Sequence, residues 1–159
     1  MIMTQIALNS IWLVVAGLII NLVIHIHKKN ICFDTFASAF SGIIVACLTY
    51  LIHFLYYSPR PFVGLGITPS IITYDLASFP SGHTAFLAAI GISVLMKSRK
   101  WGIVILVTAL VTGFARVYAG IHWPSDILVG FGFGLVVGYI ITKFIEPRII
   151  ARFKKKRLK

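Results

Sequence analysis

Arginine, histidine and aspartate fall close together in the stretch Arg116-Val-Tyr-Ala-Gly-Ile-His122-Trp-Pro-Ser-Asp126. A guanidinium binds two phosphate oxygens in a planar fork, and a histidine beside a carboxylate can act as an oriented nucleophile. Two shorter stretches join this set: Pro59-Arg60-Pro61, with a second guanidinium, and Pro80-Ser81-Gly82-His83. The latter reads as the start of a helix, where proline gives up no needed N–H and the first backbone amides form an anion site. Glycine at 82 lets an oxygen approach the backbone closely. Arg60, Arg116, the amides near Ser81 and Gly82 and the Ser81 hydroxyl together describe a cage for a phosphate. His83 and the His122/Asp126 pair stand ready for chemistry on it.

The elements that must position these residues are membrane helices. The chain of 159 residues is 58% hydrophobic and only 12% charged, with a mean hydropathy of +0.94. Soluble domains run about 45–50% apolar and about 25% charged. The apolar residues fall in runs long enough to cross a bilayer, which takes about 20 residues as a helix. Five spans are predicted, over about 6–26, 31–57, 80–96, 101–118 and 124–145. The fold class is thus all-α, a polytopic membrane helix bundle forming a single domain over 1–159, with a basic tail from 146. Between the second and third spans, residues 62–79 form a loop of mixed apolar and Gly/Pro composition that reads as a lid or lipid-contacting segment. In the fifth span Gly130, Gly134 and Gly138 recur every four residues. Such a stripe lets helices approach closely, either within the bundle or at a homodimer face.

Charge then orders the spans. With the N-terminus outside, every Lys and Arg of the chain's 15 lies on the cytoplasmic side except Arg60 and Arg116, as the positive-inside rule asks. The same arrangement brings all three motifs to the outer side. Ionisable groups kept at such depth are functional by default.

Charge placement and residue spacing weigh against nucleic-acid binding, a disulfide and a two-metal site. The net charge of +11 sits at helix ends and in the tail, with no basic–aromatic face for nucleic acid. Cys32 and Cys47 are fifteen residues apart in one predicted helix, about 22 Å, beyond disulfide reach. His25 and His27 do not share a helical face and read as interfacial residues. The four acids are Asp34, Asp75, Asp126 and Glu146; only Asp75 and Asp126 fall outside, too few for a two-metal site. No metal and no cofactor is expected.

Arg60-Pro61, then Pro80-Ser81-Gly82-His83, then Arg116 with His122 and Asp126 resembles the type 2 phosphatidic acid phosphatase family. The resemblance implies a metal-independent phosphatase with a phosphohistidine intermediate. In it His122 attacks phosphorus, Asp126 orients and charges the ring, and His83 protonates the leaving oxygen. Arg60, Ser81, Gly82 and Arg116 hold the phosphoryl oxygens. This sequence departs from the pattern at three points: His53 stands where the family usually has Lys, Ala115 where it usually has Ser, and five spans replace six. A protonated His53 could still donate to phosphate. The missing Lys and the Pro-Arg-Pro-Phe run resemble the undecaprenyl pyrophosphate phosphatases of the bacitracin-resistance type. That implies a bacterial plasma membrane, an extracytoplasmic site and a lipid phosphate or pyrophosphate as partner. The alternatives are a phosphatidate or phosphatidylglycerophosphate phosphatase, a non-hydrolytic lipid-phosphate binder or transporter, and a metal protein built on the five histidines.

Overall fold

The computed structural model describes residues 33–71 and 76–149, together with 4–6, 9, 12 and 16–17. Most of the predicted first span, His25, His27, Lys28, Lys29, Cys32, Asp75 and the tail from 150 onward lie outside the described residues. Helix α1 is Phe33–Leu55, α2 Pro61–Leu65, α3 Gly82–Leu95, α4 Arg99–Tyr118 and α5 Pro124–Ile140. A π-helical turn, Ile141–Ile145, carries α5 onward. Among the described residues there is no strand, only an isolated antiparallel bridge between Pro59 and Ala77. Three stretches are long and apolar enough to cross a membrane: Ser38–Leu55, Arg99–Tyr118 and Pro124–Ile149.

The remaining apolar helix, α3, has 14 residues, or about 21 Å of rise, short of the roughly 30 Å hydrocarbon core. It can be short because it is the hub: α1, α4 and α5 all pack on it. Thr84, Ala85, Leu87, Ala88, Ala89 and Ile90 on it are completely buried. The large apolar side chains of α1, α4 and α5 instead point outward in number, among them Phe54, Val107, Phe114 and Leu128, as a lipid-facing surface requires.

The glycine stripe explains how the hub is reached. A Cβ on Gly130 would lie 2.7 Å from the Ser81 carbonyl oxygen, and one on Gly138 2.8 Å from Ala89 Cα. At Gly134 it would run into the Ala85 carbonyl. The stripe is therefore occupied by α3 of the same chain, the packing alternative rather than the dimer face. At the other end of the bundle a 2.6 Å ion pair, Lys97 to Glu146, ties the exit of α3 to the continuation of α5. Ser93 donates to Ser38 at 3.0 Å and joins α3 to α1.

Sequence reading placed the end of α1 and the starts of α3 and α5 within two residues. It missed α2. That single turn and a half begins at Pro61, whose fixed φ suits a first helical position. It ends at Gly66, which at φ 65° takes the left-handed conformation that closes helices.

Candidate active site

Arg60 leads the site. It precedes a proline, which holds it extended at φ −66° and ψ 155°, and its carbonyl accepts from the amides of Val63 and Gly64 at 2.9 Å each. The side chain is only 3% exposed. Its Nη1 donates to the Ile121 carbonyl at 2.8 Å and reaches His122 Nε2 at 3.3 Å.

His122 is buried in the link between α4 and α5, 2% exposed. Its Nδ1 lies 2.9 Å from the Ser78 carbonyl oxygen and 3.4 Å from Asp126 Oδ2. A carbonyl only accepts, so Nδ1 carries the proton and Nε2 keeps its lone pair. That lone pair faces the Arg60 guanidinium, where a phosphoryl group held by arginine would sit. Burial pushes the imidazole pKa down from 6.5 to about 4. Asp126 works against that shift, while the Arg116 and Arg60 charges add to it. The ring is neutral at pH 7, the form a nucleophile needs.

Asp126 is 1% exposed and sits in the first turn of α5. Its Oδ2 accepts the Trp123 amide at 2.9 Å, closing the start of the helix. Its backbone carbonyl accepts the Ser81 amide at 3.0 Å, locking the α5 start to the α3 start. This corrects one sequence expectation: the Ser81 N–H is spent on Asp126 and is not offered to an anion. The amides available to an anion begin at Gly82, where α3 itself begins and its first N–H groups have no intrahelical acceptor. Ser81 Oγ, wholly buried, lies 3.1 Å from Thr84 Oγ1.

His83, half-buried in the first turn of α3, is within electrostatic range of Arg116, His122 and Arg60. Arg116, in the last turn of α4 and 7% exposed, is in turn within range of Arg60. Seven of the eight sequence-predicted site residues are thus gathered at one end of the bundle: Arg60, Ser81, Gly82, His83, Arg116, His122 and Asp126. The eighth, His53, borders them. Its Nε2 donates to the Pro80 carbonyl at 2.8 Å, so the hydrogen bond seen is to the chain leading into α3. Among the described residues no group of three or more His, Cys, Asp or Glu side chains could hold a metal ion.

Ser78, Thr84 and Trp123 were not foreseen. Ser78 acts through a backbone carbonyl, which has no residue-type signal. Its amide donates to the Ser58 carbonyl at 2.9 Å, and its hydroxyl to the same carbonyl at 3.2 Å.

Residues 34–150, which include all of these groups, match the family model of the PAP2 superfamily. The chain belongs to the PAP2 superfamily. Among its relatives is the undecaprenyl-diphosphatase BcrC of Bacillus subtilis, 36% identical over 106 residues, which are 67% of this chain and 55% of that protein. The phosphatidylglycerophosphatase B of Bacillus subtilis is 34% identical over 90 residues, 50% of this PAP2 chain and 43% of the relative. The chain therefore spans about half the length of the curated relatives it matches. The crystal structure of Aquifex aeolicus LpxE superposes with a TM-score of 0.73 at 24% identity, covering 90% of this chain and 84% of that one. A PAP2-type phosphatidylglycerolphosphate phosphatase from Bacillus subtilis gives 0.70 at 24% identity, over 92% and 76%. At that identity the two structures speak to the fold, and the fold agrees: a PAP2 transmembrane helix bundle.

Proposed function

We propose that this PAP2 chain is a lipid phosphatase that removes the terminal phosphate of a polyprenyl pyrophosphate, undecaprenyl pyrophosphate being the best-supported substrate. The observation that carries the reading is the His122 ring, neutral and buried, with its Nδ1 proton donated and its Nε2 lone pair facing Arg60 at 3.3 Å. A binder or transporter needs the arginines but not a nucleophile held in one tautomer. The substrate choice rests on the likeness to the undecaprenyl-diphosphatase BcrC.

In the proposed reaction Nε2 of His122 attacks the terminal phosphorus. The bond from phosphorus to the bridging oxygen breaks, and His83 gives that oxygen its proton, releasing the lipid monophosphate. A water, deprotonated by His83, then cleaves the phosphorus–nitrogen bond and frees inorganic phosphate. Arg60, Arg116 and the first α3 amides neutralise the three equatorial oxygens, where phosphoryl transfer needs most of its help. The site faces the extracytoplasmic side, a reading supported by the placement of Arg60 and Arg116 against all other Lys and Arg.

A second substrate, phosphatidylglycerophosphate, is favoured by the likeness to phosphatidylglycerophosphatase B. Purified protein assayed on both lipids, with chelator present, separates the two. His122→Ala should abolish phosphate release while leaving lipid-phosphate binding, and radiolabel should be trapped on the unaltered protein in an alkaline quench. Substantial turnover by His122→Ala would end the covalent route, and binding without any turnover by the unaltered protein would favour a lipid-phosphate carrier.

A further inference from the structure

Two loops hold the reactive groups, one carrying Arg60 and the other His122, and they are joined by two hydrogen bonds that run in opposite directions. Arg60 Nη1 donates to the Ile121 carbonyl at 2.8 Å. Trp123 Nε1 donates back to the Pro59 carbonyl at 3.0 Å. The pair makes a closed ring of side chain and backbone: 59 and 60 on one loop, 121 and 123 on the other. Trp123 is also fixed from its own side, since its amide is held by Asp126 Oδ2 at 2.9 Å. Its ring runs beside α2, with Cζ2 only 3.8 Å from where a Cβ on Gly64 would stand.

We propose that Trp123 is a positioning residue for Arg60: by holding the Pro59 carbonyl, its indole N–H sets the reach of the guanidinium toward Ile121 and His122 Nε2. This rests on the phosphatase reading above. The physical need is plain. Arg60 hangs from a loop between α1 and a helix of 5 residues, and a long side chain on a short support carries much rotamer freedom. A donor 3.0 Å from the preceding carbonyl removes backbone freedom at the root of that side chain. A half-buried tryptophan at a helix end reads by itself as an interfacial anchor. Its bond to the residue before the phosphate-binding arginine gives it a second task.

Trp123→Phe keeps an aromatic ring and removes only the donor. On undecaprenyl pyrophosphate, kcat should fall about tenfold, as expected for one net hydrogen bond in the transition state, with KM within about twofold. Affinity for orthovanadate, measured by calorimetry, should weaken by a similar factor of about ten. In an Arg60→Lys background, which lacks the planar fork, Trp123→Phe should cost no more than about twofold further, because the two residues act as one unit. Trp123→Leu, which also lacks the donor, should repeat the result if the Phe variant does not fold. Wild-type kcat and vanadate affinity in a folded Trp123→Phe protein, or losses that simply multiply with Arg60→Lys, would overturn the positioning role and leave the phosphatase reading intact. Neither turnover nor vanadate binding by the unaltered protein would overturn that reading and the proposal with it.

Discussion

Asp126→Asn separates two ways in which a carboxylate can serve a histidine. If Asp126 alone held the Nδ1 proton, the amide could present its NH2 group there and drive the ring into the other tautomer, burying the nucleophilic lone pair. Such a change costs about 10⁴ in rate where it has been seen in a hydrolytic triad. Here the Ser78 carbonyl is nearer to Nδ1, 2.9 Å against 3.4 Å for Asp126 Oδ2, and a backbone carbonyl survives the substitution. The tautomer should hold, and what is lost is the negative charge beside a ring that, in the proposed reaction, becomes positive as it bonds phosphorus. At 3.4 Å and an effective dielectric of about 20, one pair of unit charges is worth about 5 kcal/mol. That is a ceiling of roughly three and a half decades in rate. The ring spreads its charge and keeps its Ser78 bond, so the expected loss in kcat is about a hundred- to a thousandfold.

The asparagine oxygen can still accept the Trp123 amide, so the start of α5 should survive and the melting temperature should move by only a few degrees. Steady-state phosphate release gives the rate; alkaline-quench labelling of His122 shows which step slows. A loss near 10⁴-fold with no labelling would mean that the ring had switched tautomer, and that the Ser78 carbonyl does not fix it. A loss below about threefold would reduce Asp126 to a helix cap.

Other expectations follow from the same geometry. The acid limb of kcat/KM should lie near pH 4, since protonation of His122 removes its lone pair. Arg60→Ala or Arg116→Ala should move that limb upward, because each removes a cation that opposes protonation. The same shift makes folding stability fall with acid. Between about pH 6.5 and pH 4 the unfolded chain binds a proton that the native His122 does not, so its contribution is full above that window and lost within it. His83→Ala should slow a monoester such as phosphatidylglycerophosphate more than a pyrophosphate, whose leaving oxygen is less basic and needs a general acid less; equal slowing on both would argue against that role. Gly130→Ala, which puts a methyl 2.7 Å from the Ser81 carbonyl oxygen, should destabilise by about 1–3 kcal/mol and lower activity beyond what the melting temperature explains. His53→Ala should lower activity modestly and His53→Lys restore it, since an ammonium can also donate to the Pro80 carbonyl; unchanged rates in His53→Ala would leave the residue to packing alone.

Hydrophobic run length and the placement of lysines made the helices legible, because in a bilayer those two quantities are nearly the whole physics of a span. The hub was less legible. Residues of α3 read as one more span, yet the helix is too short to be one unaided and lies under three others. What betrays it is the absence of a polar–apolar contrast around its circumference, with Ala85, Ala88, Ala89 and Ile90 all fully buried. The glycines of α5 were visible but their partner was not, since spacing shows that something approaches closely without showing what. Their seat against Ser81, Ala85 and Ala89 supplies the answer, and it couples packing to chemistry at Gly130.

The site divides along a similar line. Arginine, histidine and aspartate announce themselves because their side chains are of the types that can do chemistry, and the charge distribution alone assigns them to one end of the bundle. Backbone groups that orient them are silent in a sequence. The carbonyls of Ser78, Ile121, Pro59 and Pro80 each accept from a functional or bordering side chain, His122, Arg60, Trp123 and His53 in turn. Every residue type, proline included, carries a backbone carbonyl, so residue type says little about which one will accept. What it does constrain is the chain path: prolines at 59, 61 and 80 fix φ where the loops turn. Those loops are zipped by the Pro59–Ala77 bridge and the Ser78-to-Ser58 bond. The prolines that looked like helix punctuation therefore also aim the acceptors, and the acceptors select the tautomer that leaves His122 Nε2 facing Arg60.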